Sequence, residues 1–206
     1  MRLRFFHTCT LLLAIMFTVQ GQNFEEFQTS QANIRLAATN AGTFGNAFRG
    51  YKDGTGTPSL EYPAGSGIEH LFEGGTWIGG TSNGVIRVST SAFDAPQGYA
   101  PGRGGFEFNP IPGPGVKEMS SLKTSPNFNS NAISHQDFLS YFSDSTLLVP
   151  GTSIPINNHI NPMDLVVEMR VMNWNYSFSD FMALVNLTIT NEGTQTFDDL
   201  YIGVWN

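Results

Sequence analysis

Apolar side chains recur at every second residue in the last third of the chain, and this pattern constrains the fold more than any other feature. The first alternating run begins at Leu165, a second spans Phe181 to Thr190, and a third begins at Leu200. Side chains of a β-strand point alternately to its two faces. Half-buried antiparallel strands need a second layer over their apolar face, so the sequence predicts an all-β antiparallel sandwich or jelly-roll. The apolar positions of the first run are Leu165, Val167, Met169 and Val171.

Further strands are predicted upstream. Residues Asn33 to Thr39 alternate, and so do Ile68 to Phe72, which we expect Gly74-Gly75 to end. Trp77-Ile78 lies between two glycine pairs, which indicates a short strand that a neighbouring backbone approaches closely. The turn Ser82-Asn83-Gly84 precedes an alternating run from Val85 to Thr90. Asn-Gly between two such runs predicts a β-hairpin.

Alternation is lost between residues 95 and 131, where proline and glycine interrupt the chain repeatedly. We interpret this segment as a long irregular excursion. A loop of this length in a compact domain is functional, disordered, or interrupted by short strands, here around Phe106 and Phe108. The pattern leaves all three alternatives open.

The N-terminus has the features of an export signal. Arg2 and Arg4 precede an apolar run from Cys9 to Val19, and the small residue Gly21 suits a signal peptidase cut. The run covers about 11 residues, whereas a membrane-spanning helix needs roughly 20. We therefore predict a signal peptide over residues 1–21, cleavage before Gln22, a secreted or cell-surface location and no membrane insertion of the mature chain. Residues 22–206 are expected to form one β-sandwich-like domain.

Charge and cysteine content exclude several function classes. The chain has 10 Lys and Arg against 17 Asp and Glu, a net charge of −7. Arg2 and Arg4 precede the predicted cut, so the mature chain carries 8 − 17 = −9 and repels nucleic acids and anionic lipids. The one cysteine, Cys9, lies in the signal segment, which leaves the mature chain without a disulfide, a thiolate nucleophile or a zinc thiolate site. Export without cysteine favours a bacterial envelope or surface protein.

Two short motifs suggest chemistry but have the wrong context. The segment Gly80-Thr81-Ser82-Asn83-Gly84 fits the serine-hydrolase pattern G-x-S-x-G, which requires a turn from a strand into a helix. A strand pattern follows here instead. His70 and Glu73 have the H-x-x-E spacing of some metal sites, but residues three apart on a strand face opposite sides. We interpret His70 as a core or interface histidine and assign no catalytic, cofactor-binding or metal-binding residue.

Oxygen-rich loops leave structural calcium as an open alternative to solvated turns. The segment Ser134-His135-Gln136-Asp137 is followed by Asp144, His159 and Asp164. Calcium accepts mixed carboxylate, amide and carbonyl oxygens, although the D-x-[DN]-x-[DN]-G loop is absent from the sequence. The amides that could contribute are Asn157, Asn158 and Asn161.

Four sequence segments resemble a known group of proteins. They are residues 40–45, residues 62–67, residues 74–80, and Asn191-Glu192-Gly193 with residues 200–205. Together they resemble the N-terminal regions of large secreted proteins of Bacteroidota and related bacteria, many of which end in a type IX secretion sorting domain. The resemblance implies export to the surface and a longer parent protein. Its motifs are structural glycines and aromatics, and none is a catalytic signature. The strand pattern at Val204-Trp205-Asn206 likewise predicts a domain that is incomplete at its C-terminus.

These features predict a non-catalytic module of an exported bacterial surface protein. It would act in display, adhesion or contact with a glycan or surface protein, through exposed aromatics and the long loop. The alternative is the accessory N-terminal part of a secreted glycan or peptide hydrolase whose catalytic residues lie beyond Asn206. A calcium-stiffened structural unit is a third hypothesis.

Overall fold

The computed structural model describes residues 24–45, 57–91, 105–113, 115–150 and 152–206. These residues form two antiparallel β-sheets and no helix, so none of the described segments is a helix that could cross a membrane. The predicted signal peptide and cleavage site lie outside the described residues, and so do residues 95–104 and 114 of the predicted excursion.

The prediction of an all-β sandwich is confirmed. The first sheet contains β1 (Glu26–Gln28), β2 (Arg35–Thr39), β3 (Thr43–Gly45), β4 (Leu60–Glu61), β5 (Glu73–Ser82), β6 (Val85–Thr90) and β12 (Asp198–Trp205). The second sheet contains β7 (Asn109–Pro110), β8 (Lys117–Met119), β9 (Gln136–Ser143), β10 (Leu165–Asn173) and β11 (Ala183–Asn191).

Strand β10 is the centre of the second sheet, paired with β9 on one side and β11 on the other. Its predicted apolar face points into the sandwich: Leu165, Val167, Met169 and Val171 are each at most 2% exposed. One core cluster combines these residues with side chains of the first sheet. Phe27 of β1 stacks on Phe138 of β9 with ring centroids 4.7 Å apart, which shows that the two sheets pack face to face.

The predicted hairpin is confirmed. Ser82 of β5 pairs with Val85 of β6 across a two-residue turn. Both turn residues have positive φ, 51° at Asn83 and 76° at Gly84. This backbone conformation belongs to the tight turn whose twist matches the flanking strands, and asparagine and glycine adopt it most readily.

The predicted strand at Ile68–Phe72 is wrong. Only Glu69 forms an isolated bridge, to Glu61, and the long strand β5 begins at Glu73. The alternation there belongs to exposed residues, with Ile68 54% and Phe72 74% exposed.

The glycine pairs do not end the strand either, because β5 runs through both of them. They allow close approach, as predicted for Trp77-Ile78: a Cβ on Gly74 would lie 2.6 Å from the carbonyl oxygen of Trp205 in β12. Glycine is therefore required by the neighbouring strand, not by a turn.

The described part of the excursion is packed against the sandwich. Strands β7 and β8 both pair with β9. Phe106 and Phe108 are buried, each in a separate core cluster. Of the three alternatives for this segment, short strands are the one observed after residue 105.

Candidate binding surface

A groove of about 630 Å³ lies on the outer face of the second sheet, and we call it the polar groove. Because β10 turns alternate residues inward, Glu168 and Arg170 point to this outer face. Strand register places Asn186 of β11 beside Arg170. The residues that matter for its chemistry are Asn131, Glu168, Arg170, Trp174, Leu184 and Asn186.

The charged groups of the polar groove are held in place by neighbouring strands. The hydroxyl of Tyr141 in β9 donates a hydrogen bond of 2.8 Å to Glu168 Oε2. This hydrogen bond, together with burial, raises the pKa of the Tyr141 phenol. Arg170 Nη1 donates to the backbone oxygen of Asn131 and to Oδ2 of Asp137, each at 3.2 Å. The groove thus presents polar groups whose orientation is already set.

Asp137 is a buried partner of Arg170. Its carboxylate accepts hydrogen bonds from the backbone N–H groups of Ile133 and Ser134, both at 2.8 Å, and from the Ser134 hydroxyl. The side chain of Asp137 is fully buried, and that of Arg170 is 16% exposed. The positive charge of Arg170 is therefore compensated by a neighbouring buried carboxylate.

Aromatic side chains border one end of the polar groove. Trp174 is half-buried and begins a loop that carries the exposed, mutually stacked rings of Tyr176 and Phe178, with centroids 5.3 Å apart. His135 anchors this loop. Its Nδ1 accepts a hydrogen bond of 3.1 Å from Asn175 N–H, and its ring packs edge to face against that of Tyr176 with centroids 4.6 Å apart. His135 therefore acts as a support for the aromatic loop.

Among the described residues, those considered for calcium do not form one metal-binding cluster. Asp137 is ion-paired to Arg170 of the polar groove, whereas Asp144 is buried at the junction between the sheets. Asp144 accepts hydrogen bonds from the Ser89 hydroxyl at 2.6 Å, from Met163 N–H at 2.8 Å and from Leu165 N–H at 2.7 Å. Among the described residues, no three His, Asp or Glu side chains are grouped to hold a metal ion. Calcium binding stays a prediction, which melting in the presence of a chelator tests.

Neither rejected motif has the geometry that its chemistry requires. Ser82 is 2% exposed and lies at the end of β5, where the hairpin leads into another strand. His70 is exposed, so its interpretation as a core residue is wrong, and its Nε2 lies 2.8 Å from the carbonyl oxygen of Tyr62. Glu73 is buried in β5.

Two features of the structure were missed by sequence reasoning. The polar groove was not predicted, because the pairing of Arg170 with Asn186 and the nearby Asn131 is not visible in the linear chain. Burial raises the pKa of Glu107, whose Oε2 has no hydrogen-bond partner within the described parts of the chain.

A second groove, of about 400 Å³, lies on the outer face of the first sheet between Trp77, Val88 and Tyr201. It is mostly apolar and has a floor formed by Gly79 and Gly203.

Comparison of the chain with protein-family models, curated proteins and solved structures finds no match. Any function assigned to the chain therefore rests on the chemistry of its own sequence and surfaces.

Proposed function

We propose that this chain is a non-catalytic contact module of an exported bacterial surface protein, and that its polar groove binds a neutral glycan. The observation that carries the proposal is the presence, in one groove, of the oriented polar groups of Glu168 and Arg170 and of the Asn186 amide, together with the indole of Trp174. The signal-like N-terminus and the resemblance to secreted Bacteroidota proteins support the surface location.

The groove offers the groups that a sugar requires. Each sugar hydroxyl is both donor and acceptor, and the groove pairs an accepting carboxylate with donating guanidinium and amide groups. A pyranose ring also has an apolar C–H face, which an aromatic ring such as that of Trp174 covers well. Specific sites combine apolar lining with a few well-placed polar groups in this way.

Pre-set orientation favours binding. Glu168 is held by Tyr141, and Arg170 is held by Asn131 and Asp137. Side chains that are already ordered lose less conformational freedom when a ligand binds. A weakly apolar, polyhydroxylated ligand can therefore be recognised without rearrangement of the sheet.

Charge selects a neutral glycan over an acidic one. The chain has a net charge of −7, which repels polyanions. The guanidinium of Arg170 is ion-paired to Asp137 at 3.2 Å, so little positive charge is left for a carboxylate or sulfate. Neutral oligosaccharides incur no such repulsion.

A glycan array followed by calorimetry tests the proposal. The full chain is expected to bind a subset of neutral oligosaccharides, and Trp174→Ala and Asn186→Ala should each weaken binding by about tenfold, which corresponds to about 1.4 kcal/mol. Trp77→Ala is the matched control, because Trp77 lies on the outer face of the other sheet and should leave the affinity unchanged. The proposal fails if no neutral oligosaccharide binds, or if Trp174→Ala binds as well as the unmodified chain while its melting temperature is unchanged.

A further inference from the structure

The described part of the sandwich is open along one side. Within the described parts of the chain, β11 pairs only with β10 and β12 pairs only with β5. Each strand is therefore the edge of its sheet, and each has a free row of backbone N–H and C=O groups. The two edges lie on the same side, because residues of both line one groove.

Apolar side chains that point inward along this side are uncovered. Ile202 of β12 pairs with the buried Ile78 and shares its face of the sheet, yet it is 55% exposed. Val204, on the same face, is 61% exposed. Val185 of β11 pairs with the buried Val171 and is 38% exposed. Inward residues of a sandwich are normally covered, so these strands present an unfinished part of the core.

The groove between the two edges has a volume of about 320 Å³. We call it the edge groove. It reaches the main core, and its apolar lining comes from both sheets: Leu36, Phe44, Val185, Leu187, Val204 and Trp205.

We propose that the edge groove accepts an extended peptide strand with apolar side chains at alternate positions and a basic residue at its end. The strand would pair with the free edge of β12 and place its apolar side chains in the groove. A ligand that satisfies both a row of backbone hydrogen bonds and an apolar slot must be extended polypeptide, because only a strand supplies main-chain donors and acceptors at this spacing.

Charge decides between a peptide strand and a second copy of the chain. Two copies would each bring a net charge of −7, which opposes their association. Asp198 and Asp199 are both exposed at the beginning of β12. They would attract a lysine or arginine that flanks the incoming strand.

Binding of a designed peptide tests the proposal. The probe is the fluorescein-labelled peptide KVTITVTK, and the matched control is KVIVTTTK, which has the same composition without the alternation. We expect saturable binding of the first peptide to the full chain, at least about tenfold weaker binding of the second, and slower amide exchange at residues 201–205 of β12. Equal binding of the two peptides, or no binding of either, would overturn the proposal.

Two lysine substitutions on β12 distinguish binding of the probe in the edge groove from binding on the opposite face of the strand. Val204→Lys places a charge in the edge groove, which Val204 lines, and should weaken the probe at least about tenfold. Tyr201→Lys is the control, since Tyr201 is 73% exposed on the other face, and the affinity should be unchanged. Both sites are exposed, so melting temperatures should be preserved. Light scattering measures the oligomeric state of the full chain. If the chain is a dimer that does not bind the probe, a second copy occupies the edge groove and the proposal is overturned.

Discussion

The buried carboxylate of Asp144 connects the two sheets. Asp144 follows β9 of the second sheet and accepts a hydrogen bond of 2.6 Å from Ser89 in β6 of the first sheet. Two backbone N–H groups, of Met163 and Leu165, complete its partners at the beginning of β10. The sequence singled out Asp144 as an oxygen ligand, but its partners are up to 55 residues away, so its role in joining the sheets could not be predicted.

Asp144→Ala should lower the free energy of unfolding by about 3 kcal/mol, because one hydroxyl and two backbone N–H groups are left buried without an acceptor. Urea denaturation measures this change. Glu192→Ala is the control: Glu192 is exposed, and the change should stay within about 0.5 kcal/mol. A loss below about 1 kcal/mol for Asp144→Ala would show that water replaces the carboxylate.

Glu107 should make stability depend on pH. Burial raises the pKa of this carboxyl above its ordinary value of 4.5, and backbone hydrogen bonds at Glu107 and Gly105, followed by the nearby His159, offset this in part. The folded state therefore holds the proton more tightly than the unfolded state, and stability falls as pH rises from about 4.5 through the raised pKa.

Glu107→Gln removes this titration. The melting temperature of Glu107→Gln, relative to that of the unmodified chain, should increase as pH rises through that window. Above the window the difference should be constant. Scanning calorimetry between about pH 4 and 8 measures it. A difference that does not change with pH would contradict the assignment to Glu107.

At the scale of single elements, strand alternation was informative only where one face is buried. The alternation of β10 identified its inward face correctly, because Leu165, Val167, Met169 and Val171 lie against the other sheet. The same pattern at Ile68–Phe72 failed, since no buried face accompanies it. The prediction that Gly74-Gly75 ends a strand was also wrong. Glycine usually weakens a strand, but here it allows β12 to approach β5.

Gly74→Ala should therefore loosen β12. A methyl group 2.6 Å from the Trp205 carbonyl oxygen must displace the backbone of that strand, at a cost of about 1–3 kcal/mol. Amide exchange should become faster in β12, and thermal melting should begin earlier. Gly113→Ala is the matched control, because no atom lies within 4 Å of its added methyl group. Unchanged exchange in β12 would mean that the strands separate without cost.

At the scale of the whole molecule, one core stabilises both sheets. Phe142 of β9 is fully buried and contacts Phe108 edge to face with centroids 5.3 Å apart. Its cluster also includes Phe27, Phe44 and Ile78 of the first sheet. The two sheets are therefore expected to unfold together.

Phe142→Ala should lower the free energy of unfolding by about 3–5 kcal/mol and leave a single transition, because the cavity lies in a core that both sheets share. Tryptophan fluorescence and far-ultraviolet circular dichroism should report the same midpoint. Phe178→Ala, at an exposed ring, should have little effect. Two separate midpoints in Phe142→Ala would indicate that the sheets are independent units.

Strands with a buried face, the hairpin at Asn83-Gly84 and the all-β class were predictable from the amino-acid sequence. Each of these depends on local geometry: a strand alternates its side chains with a period of two, and a tight turn demands particular residues. The identity of neighbouring strands is established by the folded molecule alone. Pairing of β10 with β11 creates the polar groove, and the separation of β11 and β12 into different sheets leaves the edge groove open. Both depend on contacts between distant residues, which no local pattern encodes.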